Sequence, residues 1–257
     1  MKMFSNNTKL ATYVLILICF APRLQAQRTT RDSTRSVQLW GLSTGGNVPM
    51  FDLASRYNPF ASVTLEYTRK NREGWFVGAS FDAMYGNSVA NANEIFGGLM
   101  DAEGNLIGVN GEFAYIQPGL SGGQVSLNLG KLISPRYNPN SGFVLNQSLG
   151  LVQNKIGLRD QRGNFPQLQS PFVEGYDRLH RGIYTATGVR YLHLDNQERI
   201  NYALNLSINL ALSKSVRGFN IDTGSLDNAL KFDAFLSTGF TWFLPVYSKQ
   251  ESFYLVD

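Results

Sequence analysis

Between residues 200 and 212 every second side chain is large and apolar. Ile200, Tyr202, Leu204, Leu206, Ile208, Leu210 and Leu212 alternate with Asn201, Ala203, Asn205, Ser207, Asn209 and Ala211. A period of two is that of a β-strand, whose side chains point to opposite faces in turn. Globular strands average about 5 to 6 residues, so this one is long. A strand that crosses a bilayer needs about 9 to 11 residues, with its apolar face on lipid and its small polar face on a barrel interior.

The pattern recurs along the chain. Leu230, Phe232, Ala234, Leu236, Thr238, Phe240, Trp242 and Leu244 face one way, against Lys231, Asp233, Phe235, Ser237, Gly239 and Thr241. Charges on lipid are costly, so the face carrying Lys231 and Asp233 is the lumen. Trp75, Val77, Ala79, Phe81, Ala83 and Tyr85 alternate with Gly78, Ser80 and Asp82, and the aromatics at both ends of the outward face suit interfacial girdles. Shorter copies lie at 61–68, 124–130, 143–151 (where Gln147 interrupts the apolar face) and 183–193. Residues 36–45 make a first strand whose facing the sequence leaves open.

The connections between these segments alternate in length. Short links at 70–74, 135–142 and 195–198 are rich in Gly, Asn, Asp and Pro, and read as turns. Long links fall at about 47–59, 87–121, 158–182 and 217–228. The expectation is an all-β fold: an eight-stranded antiparallel up-and-down transmembrane barrel over 36–247, with short periplasmic turns and long extracellular loops. An even strand number puts both termini in the periplasm. A soluble lipocalin-like barrel has the opposite polarity, with its large apolar side chains inside. Here the polar face is too small in volume to fill a soluble core.

The first residues supply the route to that location. Lys2 and Lys9 precede an apolar run at 10–21, and Leu24-Gln25-Ala26 ends in a small residue. This reads as a signal peptide over 1–26, followed by a periplasmic leader at 27–35; residues 248–257 form a periplasmic tail. Ile18 before Cys19 does not suit a lipidation site, which wants a small residue there. Removing Lys2, Lys9 and Arg23 takes the 23 basic residues to 20 against 19 acids. The formal charge of +4 is therefore largely a targeting feature, and nucleic acid is not an expected partner.

The last strand carries Ser237, Gly239, Trp242 and Leu244 in a polar-x-Gly-x-x-aromatic-x-apolar spacing. This resembles the C-terminal signal read by the barrel assembly machinery, and implies that machinery as a partner during biogenesis. Many chains with that signal stop at an aromatic residue, whereas this one continues to Asp257. The chain as a whole resembles the small outer-membrane barrels of Bacteroidota. The residues that carry this are the Ala-Gln leader end, Asn-Pro-Asn-Ser-Gly at 138–142, Tyr176-Asp177-Arg178-Leu179 and Trp-Phe-Leu-Pro at 242–245. The resemblance implies an outer-membrane location, and a role as an accessory part of an envelope or secretion assembly.

No reactive constellation stands out. His180 falls in a long loop beside Asp177 and Arg178, and His193 near a short-turn end; neither has a nucleophile at a fixed spacing, Ser170 included. Clustered Cys or His for zinc is lacking, and Asp222, Asp227 and Asp233 do not match a calcium loop. Catalytic, cofactor and metal residues are thus not assigned. The lumen is more informative: Glu66, Asp82, Arg190, Lys231 and Asp233 fall on inward faces and are expected to form one connected charge network. Eight strands leave an interior that side chains fill, so the expected role of this network is a plug. Apolar residues in the second and third loops, among them Ile95, Phe96, Leu106, Phe165 and Tyr176, fit either a cap or a binding surface. The reading is a non-enzymatic barrel that engages lipid and an envelope protein; a lipid-modifying enzyme and a small pore are the alternatives.

Overall fold

The computed structural model describes residues 34 and 36–247, apart from 102, 104, 136–137, 163–164 and 196–199. The expected signal peptide, the leader except Thr34, and the C-terminal tail lie outside the described residues.

Eight long strands form: β1 (Val37–Phe51), β2 (Phe60–Lys70), β3 (Trp75–Tyr85), β4 (Phe113–Ile133), β5 (Gly142–Arg162), β6 (His180–Leu194), β7 (Asn201–Ser215) and β8 (Leu230–Tyr247). Each pairs antiparallel with its sequence neighbour, and β1 pairs with β8, so the sheet closes. Closure removes every free edge over the common height of the wall, which lets backbone cross hydrocarbon with its amides paired. At the seam Gly45 lies opposite Gly239, where a Cβ on Gly45 would come within 2.5 Å of the Thr238 carbonyl.

Facing follows side-chain volume. On β7, Leu204, Leu206, Ile208 and Leu212 are exposed outward, while Asn201, Ala203, Asn209, Ala211 and Ser213 are buried inward. On β1 the structure settles what the sequence left open: Trp40, Leu42 and Val48 point out, and Leu39, Gly41 and Asn47 point in. From Tyr202 to Leu212 the apolar face of β7 runs ten residue steps, roughly 26 Å of height at about 3.4 Å per residue and a tilt of about 40°. At the short-turn end the belt is edged by aromatics. Trp40 meets Tyr67 at 4.7 Å, Phe143 meets Tyr191 at 5.4 Å, and Lys131 Nζ lies 4.6 Å over Trp75. Phe51 and Phe232, 5.2 Å apart, lie at the long-loop end. Gln147 does face outward, and its amide is satisfied there by the hydroxyls of Thr185 (2.6 Å) and Thr187 (2.7 Å) on β6.

β4 and β5, at 21 residues each, are much longer than the sequence pattern predicted. Their outer parts continue as a two-stranded ribbon beyond β3, whose last residue Tyr85 pairs with Ser121. Pro118, Gly119, Gly122 and Gly123 blur the alternation there, and the ribbon's inward side chains, such as Ile116, Leu120 and Ile156, pack on loop residues rather than on the lumen. Among the described residues no helix is long and apolar enough to cross a membrane.

Candidate functional site

The interior is stacked in three layers. At the short-turn end Val37, Leu39, Phe76, Leu132, Val144, Leu192, Leu194, Ala203 and Phe243 form an apolar cluster across the bore. The β4–β5 turn folds over it: Ser141 Oγ donates to the Leu194 carbonyl (3.1 Å) and accepts from the Leu194 amide (2.9 Å). Lys70, fully buried at the end of β2, donates to Asn140 Oδ1 at 3.1 Å. By composition Lys70 belongs to the turn at 70–74, yet the parity that points Glu66 inward also points Lys70 inward.

The middle layer is polar and holds a cavity of about 160 Å³ lined largely by Ser, Thr and Asn side chains. Such a space suits ordered water, since each water has several partners within reach. Arg190 of β6 crosses to Glu66 of β2 in a two-pronged ion pair, both N–H···O distances being 2.8 Å. Its third donor, Nε, meets Asn205 Oδ1 at 2.6 Å, and Asn205 in turn donates to Thr241 at 2.8 Å. The guanidinium carbon lies 5.6 Å over the Phe243 ring, joining this bridge to the apolar layer beneath. Gly41 leaves the room: a Cβ there would sit 2.7 Å from Glu66 Cγ and 2.8 Å from Phe243.

At the long-loop end the first connection, residues 52–59, turns into the mouth. Arg56 reaches Asp233 of β8, whose other oxygen accepts from Ser213 at 2.6 Å; Arg56 also donates to Asn154 of β5 at 3.3 Å. Tyr57 is buried beside it, and burial holds its phenol well above the usual tyrosine range. Above lies an apolar cap that gathers Leu53, Val89, Ile95, Phe96, Leu106, Ile116 and Phe165, with Tyr176 stacked on Phe96 at 6.2 Å. The apolar loop residues therefore largely pack on one another, while Phe113 and Phe172 stay exposed.

The five charges expected to form one network separate into distinct contacts. Glu66 and Arg190 are joined; Asp82 accepts from Thr64; Asp233 is met by Arg56; and Lys231, at the rim, lies 3.6 Å from Asp227 in the last loop. Lys231 and Asp233 sit at the outer end of β8, too far along the strand to share partners with Arg190. Arg56 escaped sequence reading because loop residues follow no period. Asp222 pairs with Arg178, so the three aspartates considered for calcium have separate partners.

The two histidines are also apart. His180 is buried, its Nδ1 2.7 Å from the Arg178 carbonyl, which can only accept, and its Nε2 3.6 Å from Asp227. His193 lies against Tyr202 with the rings tilted and their centroids 5.0 Å apart, while Ser170 is exposed on the third loop. On β8, Trp242 and Leu244 face outward, while Ser237 faces inward, donating to Asn47 of β1 and accepting from Asn209 of β7 at 2.9 Å.

No protein-family profile matches the sequence, and no curated protein does. Among solved structures the chain is similar to Ail, the attachment invasion locus protein of Yersinia pestis, at 13% identity. That match covers 81% of this chain and 98% of Ail, with a TM-score of 0.43. It is also similar to Neisserial surface protein A, at 9% identity over 80% of this chain and 96% of that one (TM-score 0.36). A third is OprG of Pseudomonas aeruginosa, at 12% over 84% and 98% (TM-score 0.33). These likenesses are of fold alone. The closed wall, the apolar belt and its aromatic edges make this an eight-stranded outer-membrane β-barrel, narrowed toward both ends by its own side chains and first loop around a small polar cavity.

Proposed function

We propose that this protein is a non-conducting outer-membrane barrel that works through its surfaces, as a structural or accessory component of an envelope assembly. The observation that carries the reading is the sealing of the bore at both ends. An apolar cluster closes the short-turn mouth, and loop 52–59 with Arg56 on Asp233 closes the other. Both seals set packed side chains across the bore, where a membrane pore needs an open, water-filled path. The lipid belt, the assembly signal at Ser237, Gly239, Trp242 and Leu244, and the apolar run at 10–21 support export, removal of residues 1–26 and insertion from the periplasm. The motifs at 138–142 and 242–245 support a place among the small barrels of Bacteroidota.

Planar-bilayer recording of the purified chain tests the seal. The expected trace has no steady conductance; a stable open level would replace this reading with a small pore. Crosslinking in intact membranes followed by detergent extraction tests the second half: an envelope protein should be captured through the long-loop or turn end, and recovery of the barrel alone under all conditions would count against an accessory role.

A further inference from the structure

The outer face changes character abruptly at the long-loop end of three neighbouring strands. Leu151, Ile183 and Leu212 are exposed, apolar and in register on β5, β6 and β7. One or two outward steps farther along the same strands stand Lys155, Arg181 and Lys214, all exposed. Arg181 and Lys214 are directly opposed across the β6–β7 ladder, and Arg181 Nε donates to Gln153 Oε1 of β5 at 2.7 Å. Like charges in that relation repel and weaken a sheet. Among the described residues none of the three cations is in an ion pair, while Arg56, Arg178, Arg190, Arg217 and Lys231 all are. On β8 the position opposite Lys214 is the uncharged Leu230. Lys155, Arg181 and Lys214 thus stand on three consecutive strands. Beside them runs a surface groove of about 960 Å³, lined by Val125, Leu151, Ile183 and Leu212.

We propose that this row binds the phosphate groups of an anionic lipid in the outer leaflet, whose acyl chains lie along the groove below. The inference rests on the membrane reading above, and charge complementarity selects the occupant. Three unpaired cations stand where a headgroup sits, immediately above a surface shaped for hydrocarbon. A bound phosphate offers each guanidinium or ammonium strong charged hydrogen bonds and cancels the repulsion between Arg181 and Lys214. A zwitterionic headgroup carries its own cation and cancels much less of it.

The test places the full chain in vesicles of phosphatidylcholine, with or without phosphatidic acid, and follows the thermal midpoint by heat-modifiable mobility. The barrel should gain several degrees with phosphatidic acid. The variant K155Q/R181Q/K214Q should lose that gain, yet match or exceed the parent in phosphatidylcholine alone, because the repulsion has gone. Equal midpoints of the parent in both vesicles would overturn the proposal. So would a variant that keeps the gain, or inorganic phosphate that reproduces it in phosphatidylcholine. Failure of the parent to insert in either vesicle would overturn the membrane reading, and this one with it; normal insertion without a lipid effect overturns this one alone.

Discussion

Arg190 and Glu66 show how one residue pair can decide the interior. Both are largely withdrawn from solvent, with side-chain exposures of 18% and 5%, and each satisfies the other's geometry. Replacing Arg190 with Leu strands the Glu66 carboxylate, at a cost of about 3 to 5 kcal/mol. Unfolding in lipid vesicles should show that loss, while Glu66→Leu combined with Arg190→Leu recovers a good part of it, since no charge is then left alone. A double variant as unstable as the single one would show that the arginine matters through packing on Phe243 instead. The inward placement of Glu66, Asp82 and Arg190 was legible because parity along a strand assigns a face to every residue. Their partners were not, because pairing depends on depth across the barrel, which strand tilt and shear decide. Arg56 lay beyond parity altogether, and its contact with Asp233 crosses 177 positions of sequence.

Strands with clean alternation were readable, and those whose alternation is interrupted were readable only in part. β3, β7 and the middle of β8 alternate large and small side chains, so their extents and facings followed directly. In β1, Gly41 and Gly45 lie inward and Gly46 outward, so volume gives no contrast until the neighbours are in place. In β4 and β5 the ribbon beyond the belt has no lipid on its outer side, and the apolar contrast that marks a spanning strand fades. The facing of β7 yields a direct test. Leu206 lies midway along it, 54% exposed, and an arginine there should cost roughly 2 to 4 kcal/mol in vesicle unfolding. Ser207→Ala, on the inner face, should change stability little. Equal effects at the two positions would mean that the outward surface is not in hydrocarbon.

Across the whole molecule the second, third and fourth long connections survive as such, but the first shrinks to 52–59, no longer than the turn at 134–141, because β1 runs on to Phe51. What the loops do once formed was not readable: the cap depends on Phe96 meeting Tyr176 and Ile95 meeting its neighbours from distant segments. The topology predicts that an epitope in the turn at 101–105 is labelled on intact cells and one in the link at 195–200 only after the outer membrane is opened; the reverse would invert the barrel. The ribbon of β4 and β5 gives the molecule a bearing within the membrane plane. From Ser121 to Phe113 β4 rises eight residue steps past the top of β3, about 27 Å along the strand, and the row of Lys155, Arg181 and Lys214 begins on its neighbours. Seen from above, the protein is therefore taller on the side where this basic row begins. Whatever approaches from outside or slides up through the lipid meets a different face at each compass point, so its contacts are set by heading as well as by depth.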